Sequence, residues 1–258
     1  MNPNKRPSLD LGGSVGLDSP GTGAGTETPA THRGRDSTHD PGEAVEYGTG
    51  TTTVGLVATD GLVLATDRRA SLGGRFVSNK NVVKVEQVHP TAAVTIAGSV
   101  GPAQAYLRQL RAEAELYENR RGRRMSVEAL SSIGSALLRG LPVSPLLGGV
   151  DPAGDGEDEA VPRLYQLDGA GGRIEESQYA ATGSGMTVAT GALEREYDPA
   201  VDVGEAVNTA VDAVLAASER DTASGNGVAV ARVTPDGVET ERRDGTGALI
   251  NGAAGGTR

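Results

Sequence analysis

The chain has no cysteine, which excludes disulfides, thiolate catalysis and cysteine-ligated metals. Histidine is almost missing too: His32, His39 and His89 are the only three. Two of them lie in the first fifty residues, and the third stands before Pro90 in a turn sequence. A Ser-His-Asp triad or a histidine-rich metal site therefore has almost no material. A hydrolase made from this chain needs a base other than histidine, and neither metal nor cofactor is expected. No run approaches the roughly 18 consecutive apolar residues of a membrane span, so no membrane partner is expected. No apolar stretch follows Met1-Asn2-Pro3-Asn4-Lys5-Arg6-Pro7, so no secretory signal is expected and the cytoplasm is the simplest compartment. Basic patches interleaved with aromatics are absent as well. The 24 basic and 34 acidic residues give a net charge of −10, with −3 in residues 1–50 and −7 in the remainder. An acidic chain repels phosphate backbones, so nucleic acid is excluded as a partner.

The 258 residues that are present suffice for one large domain or two small ones, with ample apolar content for a core. Gly, Pro, Ser, Thr and Asp dominate residues 1–47, which show no periodicity. Such a segment cannot bury enough surface to offset its chain entropy, and it is expected to be disordered. Order is expected from Thr51. Thr52 to Ala58 and Leu62 to Thr66 read as a hairpin across Asp60-Gly61, which folds Asp67 back towards Thr51. Val82 to Val85 and Ala92 to Ala97 read as two further strands. A helix opening at Gly101-Pro102 places Ala103, Leu107, Leu110, Ala114 and Tyr117 on one face. A second, capped by Ser126, carries Val127, Leu130, Ile133, Leu137 and Leu141. Residues 151–159 read as an acidic surface loop. Arg163 to Leu167 and Arg173 to Ala181 read as strands, and Thr182-Gly183-Ser184-Gly185 leads towards a short helix ending near Tyr197. Asp202, with Glu205 three residues on, opens a helix bearing Val203, Val207, Val211 and Val214. A last hairpin turns at Pro235-Asp236-Gly237. This order suits an α+β fold with two sheets packed face to face and helices outside.

Several of these stretches point at one place. Gly50-Thr51-Thr52-Thr53-Val54-Gly55, Ala65-Thr66-Asp67-Arg68-Arg69-Ala70-Ser71, Ala97-Gly98, Thr182-Gly183-Ser184-Gly185 and Arg220-Asp221-Thr222-Ala223-Ser224-Gly225 resemble the signature stretches of archaeal-type proteasome β subunits. The resemblance runs in order from about Thr49 to Val233. It implies the N-terminal nucleophile hydrolase fold, a four-layer αββα sandwich of two antiparallel sheets. It also implies a precursor that cuts itself between Gly50 and Thr51. Residues 1–50 would then be a removable propeptide, 51–244 the catalytic domain and 245–258 a disordered tail. Thr51 is the implied nucleophile, with Asp67 and Lys84 beside it. Gly98 is the implied oxyanion donor, and Ser184, Asp221 and Ser224 support the new α-amine. Ser71 stands where many relatives have Thr and is expected to pair with an extended peptide through its backbone. Ala70, Val82, Ile96 and Val100 would line the pocket for the residue before the cut, and their apolar character predicts cleavage after large apolar residues. The implied partners are further β subunits in two stacked seven-membered rings (fourteen copies in all), rings of α subunits, an unfolding ATPase and polypeptide substrates.

The chemistry is coherent from the residues themselves. A Thr with a free α-amine carries nucleophile and base in one residue. The amine titrates near pH ~7.7–8.0, close to working conditions. Lys84 as a neighbouring cation would favour an alkoxide and keep the amine neutral. Asp67 would fix Lys84, and a Gly98 N–H would stabilise an oxyanion. The alternatives are a noncatalytic structural β subunit of the same particle and a free-standing N-terminal nucleophile amidase. A phosphate-binding module is set aside, because no GxxxxGK[ST] or GxGxxG pattern leads from a strand into a helix.

Overall fold

Residues 48–154 and 159–250 are described by the computed structural model. The two residues of β1 (Gly48–Thr49) precede the hairpin of β2 (Thr52–Ala58) and β3 (Gly61–Asp67). A small hairpin, β4 (Ala70–Leu72) with β5 (Phe76–Asn79), comes next, then β6 (Val85–His89), β7 (Ala92–Thr95) and β8 (Gly98–Ser99). Helices α1 (Val100–Arg121) and α2 (Val127–Leu137) separate these from β9 (Leu146–Asp151), β10 (Val161–Leu167), β11 (Arg173–Glu176) and β12 (Tyr179–Gly183). Helices α3 (Met186–Glu196) and α4 (Val203–Ser218) lead to the closing hairpin, β13 (Val228–Thr234) and β14 (Gly237–Arg243).

Strands β2 and β3 are buried on both faces, and the alternation of their side chains shows why. Val54, Leu56, Val63 and Ala65 pack with Val228 and Val230 against α3 and α4. The intervening residues Leu62 and Leu64 point the other way, into an apolar layer shared with Leu146, Val150 and Leu164. Beyond that layer, Val94, Leu147, Tyr165 and Leu167 face Leu107, Leu110 and Leu130 of α1 and α2. Three apolar layers therefore separate four layers of secondary structure. One antiparallel sheet runs β12-β2-β3-β13-β14 and the other β11-β10-β9-β7-β6. This is the αββα sandwich expected. The helix signals read in the sequence act as expected too: the Ser126 hydroxyl accepts from Ala129 N at 3.2 Å, and Asp202 Oδ1 accepts from Glu205 N at 2.9 Å.

Several expectations need correction. Lys84 is not in a strand, because residues 82–84 direct their backbone elsewhere: Val82 N donates to Arg68 O at 3.0 Å and Ile96 N to Lys84 O at 2.7 Å. The second sheet begins its edge only at Val85. Arg173 to Ala181 is two strands in different sheets. β9 was not anticipated. Its Gly148-Gly149 pair is needed where the layers meet: a Cβ on Gly148 would stand 2.5 Å from Leu62 Cδ1, and one on Gly149 2.7 Å from Val127 Cγ2. Asp151 closes that strand and is buried rather than part of a surface loop. Its Oδ1 accepts from Val127 N, the first backbone donor of α2, at 2.8 Å. Residues 155–158 of the acidic loop, residues 1–47 of the expected leader and residues 251–258 of the tail lie outside the described residues. Between them and β14, residues 244–250 form a turn in which Leu249 bridges back to Arg243. No helix among the described residues is long and apolar enough to cross a membrane.

The Asp151 contact yields a stability prediction. Asp151→Ala leaves the buried Val127 N–H without its acceptor and is expected to lower stability by about 1–3 kcal/mol. Asp151→Asn keeps an acceptor oxygen and should cost distinctly less. Urea midpoints read this difference, and equal losses for the two variants would contradict the role assigned to Asp151.

Candidate active site

Antiparallel registers bring four strand ends together. Thr53 pairs with Thr66, so Thr52 lies beside Asp67 at the open end of the β2–β3 hairpin. On the flanks, Gly183 of β12 pairs with Thr52 and Val228 of β13 pairs with Asp67. The loop after β12 and the loop before β13 therefore reach the same point from distant parts of the chain. Gly183 adopts φ +91°, and a Cβ there would overlap the Thr51 carbonyl oxygen, so only glycine brings this loop so close.

Asp67 has no exposed surface, yet its carboxylate is fully engaged. Oδ1 accepts from Lys84 Nζ at 2.8 Å and Thr52 N at 3.1 Å. Oδ2 accepts from Gly225 N at 2.9 Å and Arg69 N at 3.0 Å. Burial pushes the Asp67 carboxyl above its ordinary value, opposed by the Lys84 charge and these backbone donors. Burial likewise pulls the Lys84 ammonium below the ordinary lysine value, opposed by Asp67. Both carboxylate oxygens are filled by donors, so the proton of the pair belongs on Lys84. The ammonium also donates to Thr51 Oγ1 at 2.9 Å and to Gly50 O at 3.4 Å. Thr51 itself is 1% exposed, and its hydroxyl donates to Gly50 O at 2.8 Å across the intact Gly50–Thr51 peptide bond.

A second polar chain meets Thr51 from the opposite side. Thr51 N donates to Ser184 Oγ at 3.0 Å. Ser184 and Ser224 hydroxyls both donate to Asp221 Oδ2, at 2.5 and 2.6 Å. Each hydroxyl has one proton, so the 2.8 Å contact between Thr52 Oγ1 and Ser224 Oγ is donated by Thr52. Asp221 Oδ1 also accepts from Ala223 N at 3.1 Å. Arg69 binds the same loop, donating to Thr222 O at 2.8 Å and Asn226 Oδ1 at 3.0 Å.

The six residues expected at the centre, Thr51, Asp67, Lys84, Ser184, Asp221 and Ser224, are thus joined in one hydrogen-bonded network. Gly98 lies in β8, opposite Thr49 of β1, so the residues just before the Gly50–Thr51 bond run antiparallel to it. Ala70, Val82, Ile96 and Val100 line one small cavity next to Lys84, together with Val83, Glu86 and Gln104. Ser71 lies beside Ala70 on β4, its hydroxyl buried and without a hydrogen-bond partner. Sequence reasoning missed Glu86 and Gln104, which give the apolar cavity a polar part; Glu86 is paired with Arg111 at 2.7 Å. It also missed the Arg69, Thr52 and Gly225 contacts. Arg69 could have been suspected from its place two residues after Asp67, but backbone donors leave no trace in residue type. A separate hollow, lined by His89, Arg111, Glu115, Glu118 and Asp236 among others, includes none of the network residues. No group of His, Asp or Glu suited to a metal ion occurs among the described residues.

The chain's residues 47–233 match the family model described as "Proteasome subunit". Proteasome subunit beta of Halorhabdus utahensis is 55% identical over 199 residues, which span 76% of this chain and 82% of that protein. Proteasome subunit beta 2 of Haloarcula marismortui is 52% identical over 212 residues, or 81% of this chain and 88% of the relative. Proteasome subunit beta of Halomicrobium mukohataei is 53% identical over 207 residues, or 79% and 84%.

The donors around Asp67 predict an asymmetry. Asp67→Leu leaves a buried ammonium without its counter-charge and is expected to cost about 3–5 kcal/mol. Lys84→Met leaves a carboxylate that keeps three backbone donors, so its cost should be clearly smaller. The double variant should cost less than the two single losses added. Urea unfolding of the four chains checks this, and an equal or larger loss for Lys84→Met would refute it.

Proposed function

The chain belongs to the proteasome subunit family, with β subunits as its relatives, and from that premise we propose that it is a catalytic one: a threonine endopeptidase with Thr51 as nucleophile, activated by its own cleavage between Gly50 and Thr51. One observation carries this reading. An ammonium fixed by a buried carboxylate stands 2.9 Å from Thr51 Oγ1, which itself lies 2.8 Å from the carbonyl oxygen of the bond to be cut.

In the uncut chain, Thr51 Oγ1 adds to the Gly50 carbonyl carbon. Its proton is delivered to the Thr51 nitrogen as the carbon–nitrogen bond breaks, leaving an ester on Oγ1 and a free α-amine. Water hydrolyses the ester, which gives Gly50 a carboxylate and restores the hydroxyl. The amine is then the base the chain otherwise lacks, titrating near pH ~7.7–8.0 before its neighbours act on it. Lys84 lowers that value, because a second cation disfavours protonation. The amine takes the hydroxyl proton, Oγ1 attacks a peptide carbonyl, and the proton passes to the leaving amine. Water releases the acyl group by the same route. The Gly98 N–H, once free of Thr49, is the oxyanion donor in this scheme, and Ser184, Asp221 and Ser224 hold the amine.

On this reading residues 1–50 are a propeptide that withholds the base until it is cut, and residues 51–244 are the catalytic domain. The substrates are unfolded polypeptides. The particle consists of two stacked seven-membered β rings with rings of α subunits, fed by an unfolding ATPase in the cytoplasm. Ala70, Val82, Ile96 and Val100 favour large apolar residues before the cut.

Co-produced with its α partner, the wild-type chain is expected to begin at Thr51 by intact mass and N-terminal sequencing. Thr51→Ala should keep its leader and show only background peptidase activity. A wild-type chain that keeps residues 1–50 in the assembled particle would replace this reading with that of a structural subunit. A fluorogenic peptide panel should show faster cleavage after Leu, Phe or Tyr than after Arg or Glu, and the reverse order would remove the assigned role of the apolar cavity.

A further inference from the structure

Resting on the proposed self-cleavage, we infer that Ala223 is a positioning residue that restricts residue 50 to glycine, by a wall separate from the one that selects substrates. A side chain added at Gly50 would leave the backbone towards Ala223. Its Cβ would overlap the Ala223 methyl outright and stand 3.3 Å from Ala223 Cα and 3.0 Å from Ser184 Oγ. A flexible neighbour could yield, but Ala223 cannot. It is 4% exposed and sits in the loop that Asp221 and Arg69 hold together. Ser224 N donates to Asp221 O at 3.1 Å, and Gly225 N donates to Asp67 at 2.9 Å. Moving the loop would break the contacts that place Ser184 and Lys84. The residue at 50 must move instead, which takes its carbonyl away from Thr51 Oγ1.

Neither Ala223 nor Ser184 lines the cavity formed by Ala70, Val82, Ile96 and Val100. A side chain at position 50, held in the uncut pose, would therefore not enter the cavity assigned to the residue before the cut in a substrate. Self-cleavage and substrate cleavage use one nucleophile but two poses. The first is gated by the Ala223 methyl and the second by the apolar cavity. Ala223→Gly removes the methyl and leaves the 3.3 Å approach to Cα and the 3.0 Å approach to Ser184 Oγ, tight contacts that a small shift relieves.

The test is an exchange of the methyl between the two positions, in particles co-produced with the α partner and followed by intact mass over time. Gly50→Ala is expected to slow maturation by about 100-fold, the usual consequence of misplacing a reacting atom by an ångström. The double variant Gly50→Ala/Ala223→Gly should mature within roughly tenfold of Ala223→Gly alone. A general loosening of the loop would not produce this rescue, since it would add a defect to a defect. A double variant as slow as Gly50→Ala, while Ala223→Gly itself matures, would overturn the inference. So would Gly50→Ala maturing at the wild-type rate. If Ala223→Gly does not assemble, Ala223→Val takes its place: its extra methyl groups press on Gly50 and should slow maturation of the otherwise wild-type chain at least about tenfold. Maturation of that variant at the wild-type rate also overturns the inference. Failure of the wild-type chain itself to begin at Thr51 would be a failure of the self-cleavage reading, and the two are thus told apart.

Discussion

A carboxylate removed from water has to fill its lone pairs from the protein, and Asp67 does so from four directions. Its donors come from the start of β2, the link after β3, the segment before β6 and the loop before β13. Each donor is the end of an element whose body is fixed in an apolar layer. The salt bridge to Lys84 is therefore a joint between segments as much as a source of charge. Taken alone, a buried ion pair contributes little net stability, because desolvation cancels most of the attraction. Its larger effect here is geometric. Lys84 has one place to put its ammonium, and that place is against Thr51 Oγ1.

The sandwich makes this joint stiff. Strands β2 and β3 have an apolar layer on each face, so neither can slide or tilt without disturbing two layers. Their common end is held by β12 and β13 on the flanks. Short polar side chains then complete the site: three hydroxyls and one carboxylate, with few rotamers among them and all linked in one hydrogen-bonded chain. Little side-chain freedom remains to be lost when a substrate arrives, which is the physical meaning of preorganisation in such a site.

What the sequence makes legible follows from how local each signal is. The Asp60-Gly61 turn sets the hairpin register, and the register alone brings Asp67 back to the start of β2. Helix caps at Ser126 and Asp202 are equally local and were readable. Only the family pattern places Lys84 at the site, since its segment leaves the ladder for contacts to Arg68 and Ile96 that no periodicity encodes. β9 was hidden for a similar reason: a Gly-Gly pair usually marks a turn, and the demand for two missing side chains comes from Leu62 and Val127 in other layers. The passage from β11 to β12 changes sheets without a glycine or proline to announce it. Ala223 stands in the sequence only as one residue of a motif. A methyl group carries no chemistry until the residue it excludes is known, and that residue lies far away in the chain.

The uncut chain also bears on the order of events in the proposed reaction. Thr51 N already donates to Ser184 while it is still an amide, and Ser184 already donates to Asp221. Cleavage changes the nitrogen from a poor base into an amine without requiring new partners for it, because the acceptor that holds the amide can hold the amine. Lys84 keeps its contacts to Asp67 and Thr51 Oγ1 and loses only the Gly50 carbonyl. In the proposed reaction the supporting network is thus complete before the base exists, and the residues before Thr51 would withhold activity through one covalent bond rather than through a rearrangement of that network. A lock of this kind demands that the bond be presented to Thr51 in a single pose, since the surrounding groups are too constrained to adapt. The crowding of Gly50 against a loop that cannot retreat supplies that restriction.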